Sequence, residues 1–190
     1  RARYSRQVLT AYAAARMPVE GAFKPNAGEL VASMLTAGLD SNALRWAGEV
    51  ESGSLAWGLL ALAAPRRTAM VDSGALDSFY DNDRPDASRK SRFLLAGLAG
   101  LGRVDRAASG EFAEKLGIDL NRQTRWTRLI DRAADVNNAA LVALLAGVGM
   151  QGDGWDKMTS VNLYHIVSAL NRVGLSAEAR MIAAEAVARG

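Results

Sequence analysis

Four groups of side chains have the types and spacing that chemistry requires: a histidine, an acidic stretch, a tryptophan loop and a set of arginines. His165 is the only histidine and lies in an amphipathic segment. A histidine can act as a general base or a metal ligand, but no serine or cysteine motif accompanies this one. We therefore predict that His165 is a packed or half-exposed helix residue without a catalytic role.

The acidic stretch, residues 77–86, brings carboxylate and amide oxygens together at short spacing, as a calcium site requires. It lacks the glycine and the closing glutamate of the usual calcium loop, and Arg84 and Pro85 interrupt it. A polar loop that leads into a helix cap is the better interpretation, with ion binding by residues 81–86 as the alternative. No cofactor is predicted for the chain.

The tryptophan loop, residues 152–156, places Asp153 and Asp156 beside Trp155, a combination that proteins also use to bind and cleave sugars. Glycosidases hold their two acids across a cleft on a rigid scaffold, whereas these two lie close together on a glycine-rich loop. A turn with a buried tryptophan is therefore preferred. Trp155 is kept as a candidate partner-binding residue.

Arginines recur at helical spacing beside a tryptophan in one segment. These arginines, which we call the arginine stripe, are Arg122, Arg125, Arg128 and Arg132, with Trp126 beside them. The stripe could bind phosphates or an acidic peptide. Asp131 and Asp135 follow Arg128 and Arg132 by three residues and can pair with them, so a solvated face with local ion pairs is the preferred interpretation and partner binding the alternative. The stripe and Trp126 are the best candidate partner-binding residues.

Composition restricts the elements that can position these groups. The chain has 190 residues, of which 49% are hydrophobic and 23% charged, as in ordinary folded proteins. Alanine and leucine dominate, and almost no window alternates as a half-buried strand does. We predict an all-α fold of about nine or ten helices without a sheet, forming a single domain over residues 1–190.

Apolar spacing places two helices of particular interest. The helix predicted at residues 5–16 has an apolar face made of Val8, Leu9, Tyr12 and Ala15. The helix predicted at residues 124–134 is opened by Thr124 and has an apolar face made of Trp126, Leu129, Ile130 and Ala133. Both faces are expected to be buried.

Helices are also predicted at residues 27–37, 41–50, 55–64, 107–116 and 139–146. Either Asp40 or Ser41 is placed to cap the helix at 41–50. Residues 66–86 are the least regular segment, with one short helix near 74–79. Asp86 and Ser88 are placed to cap the next helix, which extends to residue 101 and whose glycines suit close helix packing.

The clearest unit is a helical hairpin at residues 159–190. Gly174 is placed to close its first helix in the left-handed conformation, and Ser176 to cap its second. Small residues then follow at a fixed spacing. The spacing runs Gly174, Ala179, Ala183, Ala186 in this hairpin; Gly38, Ala43, Ala47, Val50 in another; and, less well, Asp105, Gly110, Glu114, Gly117 and Asp135, Ala140, Leu144, Gly147.

These residues resemble the tetratricopeptide class of helical-hairpin repeat, best over residues 163–187 and more weakly over 30–50. The resemblance implies an array of antiparallel helical hairpins, an irregular α-solenoid, whose last helix caps the array or receives a further pair. Such stacking creates an extended surface for binding other proteins.

No catalytic constellation accompanies the hairpins, so we expect a non-catalytic helical-repeat module that binds a protein or peptide. The alternative is a helical domain of, or attached to, an enzyme acting on polysaccharide or cell wall, to which the Trp155 loop would contribute. Nucleic-acid binding through the arginines ranks third, because a net charge of +3 permits it without requiring it.

The sequence has neither cysteine nor a long uncharged run, and both absences limit what the protein can do. The absence of cysteine excludes disulfides and thiolate chemistry, and the uncharged runs are too short to span a bilayer, so we expect a soluble protein. The sequence selects neither a compartment nor an oligomeric state. Because it begins with Arg1, it can be a processed form or a piece of a longer protein.

Overall fold

The computed structural model describes residues 2–65, 70–83, 88–152 and 154–190. Over these residues the chain forms eleven α-helices and no strand, which confirms the all-α prediction. The helices are α1 (Ala2–Arg16), α2 (Ala27–Thr36), α3 (Asp40–Leu44), α4 (Leu55–Ala63), α5 (Ser73–Asn82), α6 (Arg89–Gly100), α7 (Arg106–Lys115), α8 (Arg125–Asp135), α9 (Ala139–Gly149), α10 (Ser160–Arg172) and α11 (Ser176–Arg189). Short 3₁₀ helices occupy Gly21–Asn26 and Trp155–Lys157. None of the described helices is long and apolar enough to cross a membrane.

Helices α2, α6, α7, α8 and α10 end in the same way. A residue in the left-handed region closes each helix, and the next amide donates to a carbonyl five residues back. The left-handed residues are Gly38, Gly102, Gly117, Asn137 and Gly174. The predicted roles of Gly38 and Gly174 are therefore confirmed. In the two weaker copies of the spacing, which begin at Asp105 and Asp135, the residues with a positive φ are Gly102 and Asn137 instead.

Helix α11 lies in the middle of the packed structure. It packs against α2, α4, α6 and α10, and Ala179, Ala183 and Val187 are fully buried. A solenoid would let the last hairpin touch only its neighbours in sequence. Helix α11 instead contacts α2, α4 and α6, which come far earlier in the chain, so the solenoid is not confirmed. These contacts place α11 in the core rather than at an open end.

The glycines of α6 let its neighbours approach closely, as predicted. A Cβ added at Gly97 would lie 2.8 Å from Leu62 and 2.9 Å from Ala183. One added at Gly100 would lie 3.1 Å from the backbone nitrogen of Ser168. Helix α6 is therefore packed against α4, α10 and α11 with little free space.

Helix α1 is buried on a different face from the one predicted. Leu9 and Tyr12 are 81% and 70% exposed, whereas Ala11 and Ala14 are buried. The small alanines let α1 approach α2 closely, and the larger side chains then point outward. Ser33 of α2 donates to the Gln7 carbonyl at 2.6 Å across this contact.

Helix α3 is shorter than predicted. It ends at Leu44, after which amides donate to carbonyls three residues back around the buried Trp46. Its N-cap is Leu39, which makes no side-chain cap hydrogen bond, so the predicted caps Asp40 and Ser41 were wrong.

The predicted side-chain caps Ser88 and Ser176 form no cap hydrogen bond, although Ser88 occupies the N-cap position of α6. Ser88 has a φ of +57° and makes no cap hydrogen bond, and Asp86 lies outside the described residues. Asp83 caps the first turn of α6, since its Oδ2 accepts from the Ser91 amide at 2.7 Å and the Ser91 hydroxyl at 2.8 Å. Ser176 is the first residue of α11 rather than its N-cap, and its hydroxyl donates to Asn171.

The C-terminal end of α4 receives two arginines. Arg103 is buried and donates to the carbonyls of Ala61, Leu62 and Ala64. Arg180 of α11 donates to the Ala63 carbonyl at 2.7 Å. The last carbonyls of a helix have no intrahelical partners and carry partial negative charge, so both guanidinium groups stabilise this buried end.

Candidate protein-docking face

The arginine stripe lies on α8, whose start is fixed by local hydrogen bonds. Thr124 accepts from the Thr127 amide at 3.1 Å, and the Thr124 amide donates to the Thr127 hydroxyl at 2.8 Å. This reciprocal capping box satisfies donors that the first turn would otherwise leave without partners. The predicted opening of the helix by Thr124 is confirmed, and the helix runs to Asp135.

The acidic residues of α8 face α10. A carboxylate oxygen of Asp131 lies 2.9 Å from Nδ1 of His165, and His165 is only 3% exposed. One helical turn later Asp135 pairs with Arg172 of α10. The predicted local pairs of Asp131 and Asp135 with the arginines of α8 were wrong, because partners on a neighbouring helix take both carboxylates.

The arginine stripe lies on the exposed side of α8. Arg122 precedes the helix, while Arg125, Arg128 and Arg132 recur three and four residues apart, which places them on one side of α8. All four are exposed, and none of their guanidinium groups forms a hydrogen bond or ion pair within the described parts of the chain. At 1.5 Å per residue, the stripe presents guanidinium groups along about 10 Å of helix. Planar guanidinium groups bind carboxylates and phosphates through paired hydrogen bonds.

Exposed apolar side chains accompany the arginines. Leu129 is 49% exposed and Val136 is 74% exposed, so the predicted burial of Leu129 was wrong. Ile130 and Ala133 are buried, as expected. The outward face of α8 therefore combines cations with apolar surface.

The two tryptophans of the predicted site lie in different surroundings. The Trp126 ring is half-buried and lies so close to Gly149 of α9 that a Cβ there would overlap it. Trp155 is half-buried on the 3₁₀ turn, with its ring 6.4 Å from that of Phe93, and its carbonyl accepts from Arg89. The described contacts do not join Trp155 to the stripe.

The outer face of α9 is an exposed apolar surface that the sequence missed. The helix contains no charged residue, and its exposed positions are Ala140, Ala143, Leu144, Gly147 and Val148. Leu144 is 65% exposed and Val148 is 46% exposed, whereas Val142 and Ala146 are buried. The hairpin spacing that began at Asp135 selected Ala140, Leu144 and Gly147 as inward positions. The helix begins at Ala139 as predicted, but all three of these positions are exposed, so that assignment was wrong.

The acidic stretch is used in helix caps and ion pairs where it is described. Asp77 pairs with Lys115 at 2.5 Å, and Asp83 caps α6. No group of three or more potential metal ligands of the His, Cys, Asp or Glu type occurs within the described ranges. Residues 84–86 lie outside those ranges, and so does Asp153 of the tryptophan loop, whose companion Asp156 is exposed.

No protein-family model matches the chain, and no curated protein or solved structure does either. The tetratricopeptide resemblance therefore stays a prediction. Geometry, burial and charge are the basis for a functional proposal.

Proposed function

We propose that this protein is a non-catalytic helical module that binds an acidic protein or peptide through the arginine stripe. The observation that carries the proposal is the pairing of Asp131 and Asp135 with His165 and Arg172 of α10. Asp131 and Asp135 are paired with α10, and the guanidinium groups of α8 form no ion pair in the described chain. A helical-hairpin organisation like that of tetratricopeptide repeats would suit such a role.

The charge of the stripe suits either carboxylates or phosphates, and its apolar neighbours favour a protein. Leu129 and Val136 are exposed beside the arginines. Protein interfaces combine arginine with apolar surface at their centres, whereas nucleic-acid interfaces are more polar and depend on phosphate contacts. We therefore rank nucleic-acid binding below protein binding.

Reversal of the stripe tests the proposal. In the triple variant Arg122→Glu/Arg125→Glu/Arg128→Glu, we expect the affinity for a fluorescein-labelled glutamate-rich peptide to fall at least about tenfold, because attraction becomes repulsion. The matched control Arg6→Glu/Arg16→Glu/Arg106→Glu changes the net charge equally at exposed arginines on other helices. Fluorescence anisotropy at low and physiological salt measures both.

An equal loss in the control would reduce the effect to net charge and contradict the assignment of the stripe. Duplex DNA and single-stranded RNA serve as competing probes. Tighter binding of either nucleic acid, with a steep fall as salt increases, would replace the protein partner with a nucleic acid.

A further inference from the structure

We propose that the cavity beside Trp155 binds a single aromatic ring, carried either by a free molecule or by a side chain of a peptide. The cavity lies between the end of α9, the 3₁₀ turn Trp155–Lys157 and the last turn of α11. It does not involve the arginine stripe, so its test is independent of the proposed function.

The cavity has a volume of about 170 Å³, and its larger lining side chains are half-buried. Two methionines, a tryptophan, an arginine and two glycines line it: Met150, Gly152, Gly154, Trp155, Met158 and Arg189. An engineered apolar cavity of about 150 Å³ in another protein holds one benzene molecule. The space beside Trp155 therefore suits one aromatic ring.

The side chains of this lining favour an aromatic ring over other apolar groups. A tryptophan such as Trp155 meets a second ring edge-to-face or offset-stacked, and the thioethers of Met150 and Met158 make favourable contacts with ring edges. The guanidinium of Arg189, which pairs with Glu185, can also interact with a ring face through its charge and planar shape. A sugar would need several hydrogen-bonding side chains, and Arg189 supplies the only one among the described lining residues.

Neighbouring residues hold Trp155 in place. Its ring meets that of Phe93 at an interplanar angle of 65°, with the centroids 6.4 Å apart. Its carbonyl accepts from the Met158 amide at 3.0 Å and from Arg89, whose guanidinium lies 5.1 Å from the centre of the Phe93 ring. A ring bound beside Trp155 would extend this series of an arginine and two aromatic rings, and the fixed turn lowers the cost of ordering on binding.

Phenol and cyclohexanol are matched probes, since both carry one hydroxyl group on a six-membered ring and only phenol is aromatic. In ¹H–¹⁵N NMR titrations of the full chain, we expect phenol to bind at least about threefold more tightly than cyclohexanol, because the stacking, thioether and cation contacts all require an aromatic ring. The indole N–H of Trp155 and the amides of Gly152 and Gly154 should show the largest shifts. The indole signals of the three other tryptophans should not move.

Paired variants locate the binding. Trp155→Leu should weaken phenol binding at least about threefold, whereas Trp155→Phe keeps an aromatic ring and should stay within about twofold of the parent. Arg189→Gln should reduce the preference for phenol over cyclohexanol, because the cation is lost. The controls Trp57→Leu and Arg16→Gln replace a half-buried tryptophan on α4 and an exposed arginine at the end of α1, and they should leave both affinities unchanged.

Two further probes distinguish the sources of the ring. 3-Methylindole and the capped tripeptide acetyl-Gly-Trp-Gly-amide carry the same aromatic group, free in one and on a peptide in the other. Tighter binding of the tripeptide would assign the ring to a peptide side chain. Equal or tighter binding of 3-methylindole would assign it to a free molecule, and either result supports the site.

Four results would overturn the site. Equal affinities of the parent for phenol and cyclohexanol would exclude an aromatic preference, and shifts confined to other signals would place binding elsewhere. An undiminished preference for phenol in Trp155→Leu would remove Trp155 from the site. Tighter binding of cellotriose than of phenol would indicate a sugar site instead.

Discussion

At the scale of residues, one carboxylate links the interior to the candidate surface. Asp131 follows Arg128 at a spacing that suits a local ion pair, yet it binds His165 of α10 at 2.9 Å. The histidine is buried, so its ring nitrogen needs a partner more than an exposed arginine does. The same contact satisfies Nδ1 of His165 and leaves Arg128 available at the surface.

Asp131→Ala should therefore destabilise the fold by about 1–3 kcal/mol, because it leaves Nδ1 of His165 buried without its partner. Asp131→Asn keeps an acceptor at the same position and should cost less. Urea unfolding followed by circular dichroism gives both values. Arg128→Ala is the surface control and should fall within about 0.5 kcal/mol of the parent. A loss for Asp131→Ala no larger than the control would show that the pair contributes nothing to stability.

At the scale of elements, the same kind of residue has opposite consequences in different helices. Gly100 of α6 lies against Val167 and the backbone of Ser168, so its missing side chain makes room for α10. Gly110 of α7 is exposed and would have nothing within 4 Å of an added Cβ. Only the packing around a helical glycine distinguishes a required close approach from a helix weakened without need.

Gly100→Ala should destabilise the protein by about 1–3 kcal/mol, because its Cβ would lie 3.1 Å from a backbone nitrogen that cannot move alone. Gly110→Ala should stabilise it by about 0.5–1 kcal/mol through helix propensity. Chemical denaturation of the two variants beside the parent gives the comparison. Stabilisation in both would mean that α6 and α10 are not held at this separation.

At the scale of the whole molecule, nearly all of the buried apolar residues form one continuous cluster from Ala14 to Val187. Helix α11 connects this core, since it packs against α2, α4, α6 and α10. Helix α1, by contrast, packs chiefly against α2. The two ends of the chain therefore contribute unequally to cooperative folding.

Removing residues 174–190 should abolish cooperative unfolding, because four helices lose a shared packing partner. Removing residues 1–16 should lower the melting temperature while leaving a single cooperative transition. Thermal melts followed by circular dichroism and by tryptophan fluorescence report both. If the chain without residues 174–190 kept a sharp transition, α11 would not be needed for the core. A linear array with a dispensable last hairpin would then describe the molecule better.

The sequence by itself determined the helices and many of their ends. Thr124 begins α8, Gly38 and Gly174 close α2 and α10, and the absence of alternating patterns excludes strands in the described chain. These features could be predicted because capping, positive φ and backbone hydrogen bonding depend on residues within about one helical turn.

Only the tertiary structure decided which helix faces are buried and which charges are paired. The leucine of α8 and the outer face of α9 are exposed, and Asp131 and Asp135 leave their neighbouring arginines for α10. Helices rich in alanine and leucine offer apolar residues on more than one side, so periodicity alone does not select the inward face. That choice depends on which helices meet in three dimensions.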